Sequence, residues 1–198
     1  MEETRRRRGR PVSEESRRAA LDAAVSLLDE RGLRGFSVDE VARRSKVSKA
    51  TIYKHWSGAL ALAVSAYGGV ITETVPVRRT GDVVTDLTDQ VGRLAAAYAG
   101  PRGVVVAQLL AAGAEAENGP ALLREGFFAA RRSQTAALIA EGMARGQFRD
   151  DLDPELVIDL LFGPIVFHLF NGQPALPPGD AQKLAAIALD ALRPVADR

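Results

Sequence analysis

The sequence contains no cysteine among its 198 residues and only two histidines. The absence of thiols excludes disulfide bonds and thiolate catalysis, and it fits a reducing cytoplasm. The two histidines do not share helical spacing, so no transition-metal site is expected. No run of about 18 apolar residues occurs either, so the sequence predicts no membrane-spanning helix.

Motifs of the common enzyme classes are also missing. The sequence has no G-x-S-x-G elbow, no P-loop and no dinucleotide-binding fingerprint. Its one acidic cluster, Asp150, Asp151, Asp153 and Glu155, stands at the start of a predicted helix. Carboxylates there interact favourably with the helix dipole, and we interpret the cluster in that way. The sequence therefore predicts neither an enzyme nor a cofactor.

Charge is distributed unevenly along the chain. Residues 1–58 carry 14 basic and nine acidic side chains, whereas the remainder carries 12 basic and 16 acidic ones. Only the N-terminal part is therefore suited to a polyanionic partner. Within it, the string Arg8-Gly9-Arg10-Pro11 is similar to the core of an AT-hook, whose arginines lie in the minor groove of DNA. A simple solvated charge run is the alternative for this string.

Hydrophobic periodicity predicts helices throughout and no convincing strand, so the predicted fold class is all-α. A pair of short helices lies within residues 37–56. The other predicted helices span residues 16–31, 59–74, 83–99, 104–117, 120–145, 154–170 and 180–192.

The helix pair, SVDEVARRSKVSKATIYKHW, consists of two segments joined by a tight turn. Ser37 and Glu40 have the spacing of a capping box, and Ser48 can cap the second helix. In that helix Ile52 and Trp56 form one buried stripe. Its outer surface carries Lys49, Ala50, Thr51, Tyr53, Lys54 and His55. Such a surface is typical of a helix that enters the major groove of DNA.

This region, from about Arg18 to Val64, resembles the TetR family of bacterial transcriptional regulators. The resemblance is carried by Ala23, Leu27 or Leu28, Gly32, Phe36–Val38, Val41–Ala42, Val47–Ser48, Thr51–Tyr53, His55–Trp56 and Leu62. It implies a disordered basic arm (1–12), a three-helix helix-turn-helix DNA-binding domain (13–58) and a larger helical domain for ligand binding and dimerisation (59–198). Lys46, Ala50 and Ala59 depart from the family pattern, which has Gly at the first position, frequently Gly at the second and usually Lys at the third.

The resemblance also implies roles for individual residues. Lys49, Ala50 and Thr51 would face base edges, and Tyr53, Lys54 and His55 would contact phosphates or flanking bases. Ser37 would offer the amides of its helix N-terminus to a phosphate. Arg8 and Arg10 would contact the minor groove or phosphates. Arg43 and Arg44 are either phosphate contacts or part of a solvated face.

The predicted helix 154–170 is apolar on most of its circumference, so it must be covered on all sides. It lies either at the centre of the subunit or partly against a second subunit. The segment is similar to the C-terminal domain of one TetR-family branch, in which the last two helices form a four-helix bundle with their symmetry mates. The candidate dimer contacts are Leu161, Ile165, Leu184, Ile187 and Ala188.

A pocket between helices is a common site for a small apolar ligand. The candidate lining residues are Tyr98, Gln108, Phe127, Phe128, Phe162, Phe167 and His168. Plain core packing is the alternative for each of them. The scarcity of charge among these candidates favours an apolar or neutral ligand.

The resemblance thus implies a homodimeric, ligand-responsive repressor that binds a pseudo-palindromic operator in double-stranded DNA. The alternative is an all-helical interaction or scaffold protein with a degenerate, non-specific DNA-binding head. Lys46 and Ala59 favour this alternative.

Overall fold

The computed structural model describes residues 11–171 and 173–194, and side chains from residue 14 onward. Within these residues the chain forms helices and no strand, as the all-α prediction requires. The predicted contacts Arg8 and Arg10 lie outside the described residues. The helices are α1 (Pro11–Arg31), α2 (Val38–Ser45), α3 (Lys49–His55), α4 (Ala59–Thr74), α5 (Val83–Ala99), α6 (Pro101–Glu115), α7 (Gly119–Leu123), α8 (Ala129–Ala144), α9 (Pro154–Phe170) and α10 (Pro178–Ala191).

Three helices begin two or more residues earlier than the hydrophobic pattern predicts, and each begins at a proline. These are α1 at Pro11, α6 at Pro101 and α10 at Pro178. Proline suits the first turn of a helix because the missing N–H has no acceptor there in any case. The prolines that look like breakers in the sequence are therefore helix starts.

The first three helices pack on the N-terminal half of α4 around a small apolar core. Leu27 of α1, Val41 of α2 and Ile52 of α3 are almost completely buried there, together with Leu62 of α4. Phe36 is only partly buried and contacts both this core and the larger one.

The second core is larger and lies among α4, α5, α6, α8, α9 and α10. Helix α10 packs along α5, and α9 lies beside both α8 and α10. Tyr67, Phe127 and Phe148 are the largest fully buried side chains in this core. In the described part of the chain no single helix is both long and apolar enough to cross a membrane. Only α5 and α6 together reach that combination, and they are bent by 89°.

One predicted helix, 120–145, contains a wider turn. Residues Arg124–Phe128 form a π-helical turn between α7 and α8. The turn lies against α4, where a Cβ atom added to Gly68 would be 2.4 Å from the carbonyl oxygen of Gly126. Glycine at position 68 therefore permits this close contact between two backbones. Within this turn Phe127 lies in the core, whereas Phe128 is only partly buried.

The substitution Gly68→Ala should destabilise the protein by about 1–3 kcal/mol, because the new methyl group overpacks this contact. The matched control is Gly69→Ala in the same helix, where an added Cβ meets nothing within 4 Å. The control should stabilise the protein by about 0.5–1 kcal/mol, since alanine is the better helix former. Urea denaturation of both variants measures the difference. Equal stability of the two would contradict the close approach of α4 and the π-helical turn.

Candidate DNA-binding surface and internal cavity

Helix α3 presents two unlike faces. Ile52 and Trp56 are 1% and 7% exposed and fix the helix to the small core. At its N-terminus the Ser48 hydroxyl accepts a hydrogen bond from the amide of Thr51 at 3.1 Å, so the predicted cap is present. Of the six predicted DNA contacts on α3, Thr51 is half-buried, and the other five are exposed: Lys49, Ala50, Tyr53, Lys54 and His55. The helix thus offers a polar and basic surface on a buried apolar anchor.

The turn before α3 adopts the geometry that a helix-turn-helix requires. Lys46, which ends α2, has a φ of 57° and lies in the left-handed region. A non-glycine residue there costs on the order of 1 kcal/mol, which the surrounding packing can offset. The departure at Lys46 therefore leaves the turn intact, and it does not indicate a degenerate head.

The capping box predicted at the start of α2 is only half formed. The Ser37 hydroxyl accepts from the amide of Glu40 at 3.2 Å, as predicted. The Glu40 carboxylate, however, accepts from Arg43 at 2.7 Å and from Arg44 at 3.0 Å instead of reaching back to Ser37. The hydrogen bond from Arg43, followed by that from Arg44, lowers the pKa of Glu40 to about 2.

Arg44 also donates two hydrogen bonds of 2.8 Å to Glu30 of α1. Because Arg44 already pairs with Glu30 and Glu40, the structure does not favour it as a phosphate contact. Arg43 remains largely exposed on the surface of α2. On α3, Lys49 forms an exposed ion pair of 2.7 Å with Asp39. A pair so exposed to water contributes little energy, so a phosphate or base can readily replace Asp39.

A cavity of about 670 Å³ lies in the helical body, a size typical of small-molecule sites. Three of the seven predicted lining residues border it: Tyr98, Phe128 and Phe162. The other residues of its wall are Val75, Gln90, Leu94, Pro120, Leu123, Arg124, Arg131, Arg132, Thr135, Glu155, Ile158, Asp159, Gly163 and Val166.

The other four predicted lining residues lie elsewhere. Phe127 is 2% exposed within the large core, where the π-helical turn directs it. Phe167 is 62% exposed on the outer side of α9. The Nδ1 atom of His168 donates to the carbonyl oxygen of Pro174 at 2.9 Å, and Gln108 contacts the amide of Leu33.

The cavity contains more polar groups than the sequence predicts. Gln90 donates from Nε2 to the hydroxyl of Thr135 at 3.0 Å, and Arg131 donates to the hydroxyl of Tyr98 at 3.3 Å. Burial raises the pKa of Tyr98, although the charge of Arg131 opposes the shift. Polar residues on an amphipathic helix are usually assigned to its wet face, so sequence reasoning missed them. The available signal is two successive four-residue steps, from Gln90 to Leu94 and from Leu94 to Tyr98, which place all three residues on one side of α5.

The outer surface of α9 and α10 is unusually apolar. Six of the eight large hydrophobic side chains that are exposed in the described residues lie on these two helices: Leu156, Leu160, Phe167, Phe170, Leu184 and Ile187. The predicted dimer contacts Leu184 and Ile187 belong to this surface, and Ala188 is half-buried beside it. The predicted contacts Leu161 and Ile165 do not, because they are 3% and 2% exposed on the inner side of α9 and form part of the subunit core.

Comparison with known proteins agrees with this arrangement. Residues 20–64 match the family described as bacterial regulatory proteins, tetR family, and residues 77–188 match the tetracyclin repressor-like C-terminal domain. The chain belongs to the TetR family of transcriptional regulators. It is 39% identical over 163 residues to the uncharacterized HTH-type transcriptional regulator YdeS of Bacillus subtilis, a match that spans 82% of each chain.

Two further relatives of this regulator have the same character. The HTH-type transcriptional regulator AqdR of Rhodococcus erythropolis is 26% identical over 171 residues, which are 85% of this chain and 82% of AqdR. The crystal structure of the TetR family transcription regulator SCO0332 superposes with a TM-score of 0.82 at 29% identity, covering 91% of this chain and all of that one. The similarity therefore covers both the helix-turn-helix and the helical body.

A polar contact joins the helix-turn-helix to the body of the regulator. The Oε1 atom of Gln108, on α6, accepts a hydrogen bond from the amide of Leu33 at 2.8 Å. Nearby, the hydroxyl of Tyr67 donates to Asp29 of α1 at 2.6 Å. Gly32 has a φ of 63° and lies so near Gln108 that an added Cβ would be 2.9 Å from its Oε1 atom. The end of α1 is therefore fixed to α6 by contacts between distant parts of the chain.

The substitution Gln108→Leu should speed the hydrogen exchange of the Leu33 amide by about tenfold, because leucine fills the space but accepts no hydrogen bond. Gln134→Leu is the control, since Gln134 is exposed on α8. Exchange measured by NMR on both variants tests the contact. An unchanged Leu33 rate in the Gln108 variant would show that the hydrogen bond does not hold the junction.

Proposed function

We propose that this TetR-family regulator is a ligand-responsive repressor that binds a pseudo-palindromic DNA operator as a homodimer in the cytoplasm. The observation that carries the proposal is α3, whose exposed polar and basic face stands on the buried anchor of Ile52 and Trp56. The proposed base contacts are Lys49, Ala50 and Thr51 at its N-terminal end.

The flanking contacts follow from the same placement. Tyr53, Lys54 and His55 are exposed on α3 and are suited to contact phosphates or flanking bases. Ser37 is the N-cap of α2, and the N-terminal amides of that helix are suited to bind a phosphate. The predicted arm contacts Arg8 and Arg10 stay part of the proposal. Ala59, the first residue of α4, offers no charge to a phosphate, so no contact is assigned to it.

The exposed apolar surface of α9 and α10 supports the homodimer. Leu156, Leu160 and Phe167 are spaced so that they share one side of α9, and Leu184 and Ile187 add to this surface from α10. Contiguous exposed apolar surface of this kind typically marks an interface. A two-fold axis would pair the surface with its own copy and present two α3 helices to successive turns of DNA.

The cavity and the junction support a response to ligand. Helix α9 lines the cavity and also carries the apolar outer surface, while α6 contacts the end of α1 through Gln108. A ligand in the cavity can therefore change the relative placement of the two α3 helices. It does so only to the extent that it binds one dimer conformation more tightly than the other.

Selection from a random duplex library at physiological salt should enrich an inverted repeat, because two α3 helices related by a two-fold axis read two half-sites. A double variant, Lys49→Met with Thr51→Val, should lose the enrichment, since it removes the polar groups of two proposed base contacts. Circular dichroism checks that the variant is folded.

The same selection distinguishes the alternative of a non-specific head. Binding at low salt without any enriched sequence would indicate that the head contacts phosphates only, and it would overturn operator recognition. Steep loss of affinity with rising salt is expected in both cases, because the Lys and Arg contacts release counterions.

The substitution Ile187→Glu should convert the dimer to a monomer, because it places a charge within an apolar interface. Val104→Glu is the matched control, since Val104 is also an exposed apolar residue, at 61%, but it lies on α6. Sedimentation velocity should show a monomer for the first variant and a dimer for the second. A dimer in both cases would exclude the α9–α10 surface as the interface.

A further inference from the structure

The cavity has an apolar wall and a polar wall. Ile158, Phe162 and Val166 stand four residues apart on α9 and supply apolar surface. Helices α5 and α8 supply the polar wall through two hydrogen-bonded pairs, Gln90 with Thr135 and Arg131 with Tyr98. Gln90 and Tyr98 are eight residues apart on α5, so the two polar pairs are separated by about 12 Å along the helix.

At one end, Gln90 has hydrogen-bonding capacity left over. Its side chain is 4% exposed, and its Nε2 atom donates to Thr135. Its Oε1 atom is buried and meets no hydrogen-bond partner among the described residues. An unpaired buried acceptor destabilises the folded protein, and a ligand N–H or O–H would remove that penalty.

At the other end, Arg131 is the cation of the cavity that lacks a carboxylate. Arg132 forms ion pairs with Glu155 at 2.6 Å and Asp159 at 2.7 Å, and Arg124 lies 3.8 Å from Glu125. Within residues 11–171 and 173–194, Arg131 forms no salt bridge; it donates instead to the Tyr98 hydroxyl and to the carbonyl oxygen of Phe127.

The surroundings of Arg131 fix its position. Its guanidinium group lies over the ring of Phe127, 4.6 Å from the ring centre, and it is half-buried. The pKa of the Tyr98 phenol is raised by burial, so the hydroxyl keeps its proton at neutral pH. Since that hydroxyl accepts from Arg131, its own hydrogen can be donated to another group. Arg131 and Tyr98 together thus offer a positive charge and an O–H donor to the cavity.

We propose that the cavity binds an amphipathic organic acid, with its oxyanion at Arg131 and Tyr98 and its apolar body against Ile158, Phe162 and Val166. A hydrogen-bond donor on the ligand would meet Gln90. The carboxylates at the rim do not exclude such a ligand, because the three arginines of the lining outnumber Glu155 and Asp159, both of which pair with Arg132. This inference rests on the proposed ligand response and adds the chemical class of the ligand. It also changes the sequence-based expectation of a neutral or wholly apolar ligand.

Two probes with the same aromatic body test the oxyanion directly. Anilinonaphthalene sulfonate carries an apolar bicyclic body, an N–H donor and one sulfonate, whereas its parent phenylnaphthylamine lacks only the sulfonate. Isothermal titration of the full-length protein should show one sulfonate probe bound per subunit. That probe should bind about tenfold or more tightly than the parent, because a charge-assisted hydrogen bond is worth about 1.5–3 kcal/mol.

Substitutions at Arg131 and Tyr98 test whether these residues cause the preference for the sulfonate probe. Arg131→Met should bind both probes equally, while Arg124→Met, which removes the same charge from the cavity rim, should keep the wild-type preference. Arg131→Lys should keep most of it, and Tyr98→Phe should weaken the sulfonate probe several-fold and leave the parent unchanged. The last two variants are conservative, so they test the proposal even if Arg131→Met does not fold.

The possible results separate the acid from the ligand response itself. Equal affinity of wild-type protein for the two probes would overturn the organic acid and leave a ligand cavity in place. Equal losses in Arg131→Met and Arg124→Met would also overturn it, since the preference would then come from general charge. If neither probe binds wild-type protein, the organic acid is overturned, while the inverted repeat in the DNA selection tests the regulator separately.

Discussion

The burial of α4 is the constraint on which the rest of the structure depends. Leu62 near its start is part of the small core, and Tyr67 and Ile71 beyond it are part of the large core. The two cores therefore share one rod of about 24 Å, the length of 16 helical residues. Separating them would expose apolar surface of both, so the helix-turn-helix changes its placement only when α4 moves as a unit.

The helix-turn-helix was predictable because its determinants are local. The Ser48 hydroxyl accepts from the amide of Thr51, only three residues further on, and Ile52 and Trp56 lie one turn apart. The same locality explains most helix positions. The π-helical turn could not be predicted in this way, since its close neighbour Gly68 is distant in sequence.

The candidate sites beyond α3 were predicted less well, for reasons specific to each residue. Helix α9 is apolar nearly all round, so its pattern does not say that Leu161 faces inward and Leu160 outward. Gln108 finds its partner 75 residues away, at Leu33. Arg131 looks like an ordinary surface cation until the fold places it against Phe127 and Tyr98. Long-range packing decides each of these cases, and periodicity does not report it.

The two sides of α9 bear on how steeply the regulator responds to ligand concentration. One side borders the cavity through Ile158 and Phe162, and the other presents Leu160 and Phe167 outward. In a dimer paired through that outer side, occupancy of one cavity acts on a helix that the second subunit contacts directly. If the first ligand favours the dimer conformation that binds the second ligand more tightly, the two sites are positively coupled. The regulator then switches over a narrower range of ligand concentration than independent sites allow.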